Sequence, residues 1–285
     1  MIVALRCDWP QAPELPQVEG EELKVVDVAE VPSRKELKFL DAIAQQFLVS
    51  DTESLDDIAA RPDVAHQGEP APAPQALRER VRVIVQGTDA AVAAVATKLM
   101  RIDAMWIELA AVPRPSEETV ASGKNPQPLS PIATVWGLPS SPIEAAELAV
   151  HGDSVPTAVI RDDHGVVTLG RAEITGPNPE KDMVGEVIVD SEVVPSRWGV
   201  RWVPTGAAPG LAAASMDQPQ SRTWWGRLRS AVRGQQRREH RVWQGRALQA
   251  GGVDLRVTRD GVPHSRPLKA ITFYRHLRDG QFVRR

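Results

Sequence analysis

The apolar and polar positions of this chain change period once, and the change divides it in two. Up to about residue 151, short β-branched runs alternate with stretches whose apolar residues recur at helical spacing. Residues 1–6 and 23–29 read as strands. Ser33-Arg-Lys-Glu36 has the spacing of a capping box. It precedes a stripe of Leu37, Leu40, Ile43, Ala44, Phe47 and Leu48, which predicts a helix packed on a sheet. A short helix is expected after Ser54, and the proline-rich residues 62–76 read as a linker.

The centre of this half is 81–112. Val81–Gln86 is a β-branched run of the kind buried in a sheet. Gly87 ends it in a tight turn, Asp89 falls where a helix N-cap is expected, and Val92, Val95, Ala96 and Leu99 set a helix. A second apolar run, Met105–Val112, completes a βαβ unit. Such a turn can aim backbone N–H groups at a phosphate, or it can close the turn and do nothing more. The loop 113–130 is rich in proline, and Ile132–Trp136 is ambiguous between strand and helix. Ser141-Pro142-Ile143-Glu144 starts a helix that Gly152 ends.

Beyond residue 155 the period becomes two. Thr157–Ile160 and Val166–Ile174, joined by Asp162-Asp163-His164-Gly165, predict a hairpin. Val184–Val189, Trp198–Val203 and Leu255–Thr258 continue the β character, and Lys269–His276 reads as the strand that closes the fold. The expected fold class is α+β: an α/β nucleotide-type domain at 1–151, then a β-rich domain at 155–285. A chain of 285 residues is long enough for both.

Charge adds an asymmetry that the net value of −3 conceals. Residues 1–80 carry 16 acidic and 8 basic side chains, whereas 222–285 carry 16 basic and 4 acidic ones. Eight arginines fall in 221–246, which begins with Trp224, Trp225 and Leu228. Read as a helix, this segment sets the aromatic residues on one face and Arg227, Arg229 and Arg233 on the rest. That profile fits an anionic membrane surface, docking on the chain's own acidic half, or, least favoured, nucleic acid. No apolar run approaches the roughly 18 residues that span a bilayer. The single cysteine, Cys7, excludes an internal disulfide. The expected location is cytoplasmic, peripheral at the inner membrane face, and a homodimer is open.

Candidate chemistry is thin. The six histidines are scattered, and neither a Walker A loop nor a nucleophile elbow is present. Asp162-Asp163-His164 can be read as a cation cluster, but a hairpin turn wants the same residues; no metal site is assigned. Asp182, Glu186, Asp190 and Glu192 flank one strand and are equally well explained as a solvated face.

The order of parts resembles the catalytic fold of diacylglycerol kinases and NAD kinases. In that family a strand leads into Gly-Gly-Asp-Gly-Thr. Here Gly87-Thr88-Asp89-Ala90-Ala91 stands before Val92-Ala-Ala-Val95-Ala-Thr-Lys-Leu99. The family's Leu-Gly-Leu/Ile-Pro and its Glu-Ala-Ala helix are matched by Trp136-Gly137-Leu138-Pro139 and Glu144-Ala-Ala146, which favours a helix at 132–136. The family's Asp-Gly-Glu is matched by Asp260-Gly261-Val262. The resemblance implies a lipid-kinase-like protein that binds a nucleotide or a phospholipid, with ATP and magnesium as candidate cofactors. Gly87, Thr88, Asp89 and Arg114 would then flank a triphosphate, Arg114 or Lys124 reaching it from the long loop, and Asp89 and Asp260 are the candidate catalytic carboxylates. It also implies weak or absent phosphotransfer. Thr88 and Ala90 add bulk where two family glycines admit phosphate. Val262 cannot serve as a general base, a loss worth roughly 10²–10⁴-fold. The alternative is a non-catalytic scaffold that binds membrane or a protein partner through the basic segment.

Overall fold

A computed structural model describes residues 1–47, 54–60, 68–72, 79–115, 130–178, 181–217 and 241–285. Its first sheet is built from β1 (Ile2–Cys7), β2 (Leu23–Val28), β3 (Arg82–Gly87), β4 (Glu108–Pro113), β5 (Ser154–Thr157) and a final strand, β17 (Gly280–Val283). Their order is β2-β1-β3-β4-β17-β5, parallel except where β5 meets β17. Alternation along the strands decides what each face covers. Val3, Leu5, Val83, Val85, Leu109 and Ala111 pack towards α1 (Phe39–Phe47), α3 (Asp89–Arg101) and α4 (Pro131–Trp136). Ile2, Ile84, Ala110 and Val112 face α5 (Pro142–His151) on the other side. A short α2 (Leu55–Ala59) carries a capping box from Ser54 and Asp57.

Among the described residues, the second half is antiparallel. Its strands are β6 (Ile160–Asp162), β7 (Val167–Thr168), β8 (Ala172–Thr175), β9 (Gly185–Val189), β10 (Glu192–Val194), β11 (Val200–Pro204), β12 (Leu211–Ser215), β13 (Val242–Gly245), β14 (Ala247–Arg259), β15 (Val262–Pro263) and β16 (Leu268–Arg275). The path β13-β12-β11-β8-β14-β16-β6-β7 wraps a second core, in which Trp202 and Phe273 meet edge to face at 4.7 Å. The 13-residue β14 is the spine of this sheet, pairing with β8, β9, β15 and β16. The α+β class and the β-rich second half are as the periodicity predicted.

Several expectations change in detail. The N-cap of α3 is Thr88, whose backbone is extended (ψ 163°) and whose side chain accepts from the Ala91 amide; Asp89 is the first helical residue. The predicted hairpin over 157–174 divides three ways. Ser154–Thr157 joins the first sheet, 160–168 forms a short hairpin, and β8 turns away to pair with β11 and β14. Lys269–His276 does not close the fold. The closing strand is β17, whose Phe282 stacks on Trp136 at 4.7 Å. Residues 242–245 of the basic segment form strand β13 rather than helix. Ser33 and Glu36 cap as predicted, 132–136 is helical, and Gly137 ends it with φ 64°.

Candidate functional site

Gly87 is not a left-handed turn residue. It is the last residue of β3, and a Cβ there would lie 2.8 Å from the Cys7 Cβ on neighbouring β1. Glycine is therefore required by the close approach of two strands, and the phosphate-turn signal in the sequence has a packing cause.

Asp89 projects from the first turn of α3, one residue beyond Thr88. Its carboxylate accepts the Ser130 hydroxyl at 2.6 Å and the Ile132 amide at 3.0 Å. Ser130 is the N-cap of α4, so Asp89 fastens the start of one helix to the start of another. Burial holds its pKa above the usual carboxylate value, against the pull of those two hydrogen bonds and of Arg171.

Asp260 belongs to the second sheet. Arg259 pairs with Val262 across a two-residue loop, Asp260-Gly261, with φ of 46° and 84°. Positive φ at both positions is what a type I′ hairpin requires, and Asp-Gly is its usual sequence. The carboxylate turns inward and accepts three backbone amides: Leu169 at 2.9 Å, Gly170 at 2.8 Å and Arg171 at 2.9 Å. Gly170 must be glycine, since a Cβ would sit 2.8 Å from the Ile132 amide nitrogen. Asp89 and Asp260 thus grip two segments, 130–132 and 169–171, that lie against each other. Burial pushes Asp260 up to about 7, the three amides oppose this, and the Asp89 charge adds to the rise. The structure brings the two predicted carboxylates into one neighbourhood, and there both serve as backbone anchors.

The remaining predicted residues disperse. The Arg114 guanidinium donates to the Asp8 carbonyl at 2.9 Å, bridging the ends of β4 and β1. Thr88 spends its hydroxyl oxygen on the Ala91 amide. Trp224, Trp225, Arg227, Arg229, Arg233 and Lys124 lie outside the described residues. Among the described residues this donor set does not fit a magnesium triphosphate. Every oxygen of Asp89 and Asp260 already accepts from the protein, and the one arginine expected at the phosphates is held on a carbonyl. The Asp162 carboxylate accepts the His164 and Val166 amides and pairs with Arg259, the work of a hairpin turn.

Sequence reasoning missed a cleft of about 410 Å³ against the exposed face of α3. Its floor is Ala90, Ala93 and Ala94; its walls are Val31 and Leu37 on one side and Val166, Val167 and Val262 on the other. The far hairpin is fixed to α3 by the Val167 amide, which donates to the Thr97 hydroxyl at 3.0 Å, and by Arg101 Nε, which donates to the Gly165 carbonyl at 3.1 Å. Four cations line the space. Lys98 is paired with Asp41, and Arg259 with Asp162. Arg34 and Arg101 pair with no described carboxylate. Burial, and secondarily the Arg34 charge, holds the Arg101 guanidinium below its ordinary pKa. The alanines at 90, 93 and 94 were legible as a small-residue face, but nothing local says that the face stays open.

No family model matches the sequence, and no curated protein matches it by sequence. Solved structures do match by shape. The crystal structure of a diacylglycerol kinase from Bacillus anthracis str. Sterne superposes with a TM-score of 0.58 at 11% identity, covering 100% of this chain and 96% of that one. An NAD kinase from Archaeoglobus fulgidus in complex with ATP gives 0.44 at 10% identity, covering 100% of this chain and 94% of that one. With all of this chain and nearly all of the first neighbour superposed, the protein has the diacylglycerol kinase fold.

Proposed function

We propose that this protein binds the phosphate headgroup of an anionic lipid in the cleft along α3 and does not transfer phosphate. The observation that carries the reading is an apolar cleft faced by two arginines, Arg34 and Arg101, neither of which makes an ion pair with a described carboxylate, although the Asp162 charge acts on Arg101 from farther off. Guanidinium groups suit phosphate oxygens because they donate in a planar fork, and the alanine floor suits an acyl chain. Against phosphotransfer stand Val262, which has no proton acceptor, and two carboxylates already accepting from the protein, Asp89 from a hydroxyl and an amide and Asp260 from three amides. The diacylglycerol kinase neighbour makes a lipid the natural ligand class, and nucleotide binding is the competing one.

Short-chain phosphatidic acid below its micelle concentration is the probe, because it reports on the cleft without a membrane surface. Arg34→Glu with Arg101→Glu should weaken binding at least about tenfold, the loss expected for one charge-assisted hydrogen bond. Equal binding by this variant, or phosphate transfer from ATP-magnesium to diacylglycerol, overturns the reading. The segment 221–246 is read separately as a membrane contact, from its eight arginines and paired tryptophans. Its charge reversal should abolish co-sedimentation with anionic vesicles while leaving short-chain lipid binding intact.

A further inference from the structure

Two hairpin turns of the second half, β6–β7 and β14–β15, stand side by side at the rim of the cleft. The buried ion pair of Asp162 and Arg259, each the last strand residue before its turn, joins them. The rings of His164, in the β6–β7 turn, and of His264, just past β15, lie 5.2 Å apart, centroid to centroid, tilted by 59°. These histidines come from positions a hundred residues apart in the sequence. Neither the fold nor the lipid reading uses them.

What they present is decided by their other nitrogens. His164 Nδ1 lies 2.9 Å from the Asp163 carboxylate. His264 Nδ1 lies 2.8 Å from the Arg266 carbonyl oxygen, closer than the Arg266 amide at 3.4 Å. An oxygen at that distance accepts a proton from Nδ1, so in each neutral ring the lone pair resides on Nε2. A histidine whose Nδ1–H is held by a carboxylate or a carbonyl is the arrangement that orients imidazole towards a metal. Two such rings with centroids 5.2 Å apart supply the two nitrogens that a chelate needs, and Asp163 sets a negative charge beside His164. Their surroundings are open to water, which can complete the coordination shell.

We propose that His164 and His264 bind one divalent transition metal ion, of the zinc or copper class, through their Nε2 atoms. Imidazole nitrogen selects these borderline ions over magnesium or calcium, which prefer oxygen. Val166 lies two residues beyond His164, and Val262 two before His264; both line the cleft. A bound ion would therefore tie together the two turns that form one wall of the cleft.

The test is calorimetric titration of zinc ion into the full-length, tag-free chain at neutral pH. One saturable site is expected in the wild type and in the control His151→Ala. His164→Ala and His264→Ala should each weaken it at least tenfold. The four-line spectrum of copper bound in the same protein should show nitrogen coupling that both substitutions remove. Circular dichroism on each variant keeps misfolding apart from ligand loss, since both rings are at the surface. Absence of a saturable site overturns the proposal, as does binding that survives either substitution or depends on only one of the two histidines.

Discussion

The β3–α3 turn and the β14–β15 turn occupy matching stations on the two sheets, and each carries an aspartate that the family pattern marks as chemical. They differ in how the aspartate is held. Asp89 sits on a helix end, half-buried, and satisfies one hydroxyl and one amide. Asp260 sits in a left-handed turn, almost wholly enclosed, and satisfies three amides of one segment. The two side chains have converged on one task, anchoring backbone that would otherwise bury unpaired donors. The difference is depth. An anchor at the rim can be lost locally, whereas one in the interior holds the contact between the two sheets.

The sharpest way to break the comparison is to remove the deeper anchor. Asp260→Ala leaves two buried N–H groups and one part-buried N–H without an acceptor, a buried one being worth about 1–3 kcal/mol, and puts alanine at a φ of 46°. A loss of about 3–5 kcal/mol in urea unfolding is expected. A loss below about 1 kcal/mol would show that water replaces the carboxylate and that the turn is not an anchor.

A smaller effect should appear on changing pH. Asp260 is raised from 3.8 to about 7 by burial, with Asp89 contributing. Between those values the unfolded chain has released a proton that the folded chain keeps. The contribution of this group to stability is therefore complete below about pH 4, declines as pH rises to about 7, and is level above that. The decline should amount to a few kcal/mol at most, since each pH unit across that window costs roughly 1.4 kcal/mol. Asp260→Asn should flatten the slope to the part that Asp89, also raised by burial, contributes, and Asp89→Asn should move its upper end to lower pH by removing a neighbouring charge. An unchanged profile in Asp89→Asn would mean that the two carboxylates are not coupled.

Asp89→Ala is expected to cost less, about 1–2 kcal/mol, because one amide and one hydroxyl lose their acceptor at a half-buried site. Hydrogen exchange should locate the loss at 130–136 and leave β14 protected. Protection lost evenly across both sheets would erase the distinction between rim and interior.

Much of this architecture was legible. Val81–Gln86, the stripe at 92–99 and the proline at the start of α5 place the first sheet and its helices because local period and capping are enough to fix them. Strand partners were not, since pairing depends on long-range contacts. Thr157–Ile160 reads as the first arm of a hairpin, yet Thr157 ends β5, which meets β17, a four-residue strand too short to announce itself. The site was legible as residues but not as roles. Gly87 and Asp260-Gly261 carry the motif's letters, yet close strand packing and a type I′ turn demand the same letters. The cleft depends on which helix face remains uncovered, and no periodicity reports that.

The smallest expected effect separates the pattern from the chemistry most cleanly. Val262 stands where the family's glutamate stands, is 43% exposed, and faces the cleft. Val262→Glu restores the lettered motif without disturbing packing, so the change in stability should stay within about 0.5 kcal/mol. It should confer no phosphotransfer, because Asp89 and Asp260 remain bound to backbone amides and no phosphate site is made. It should weaken binding of short-chain phosphatidic acid severalfold, since a carboxylate placed beside Arg259, across from Arg34 and Arg101, competes for the same guanidinium groups. Gain of kinase activity in this single variant would mean that the two turns differ from an active kinase by one residue, and that their anchoring bonds open when substrate arrives.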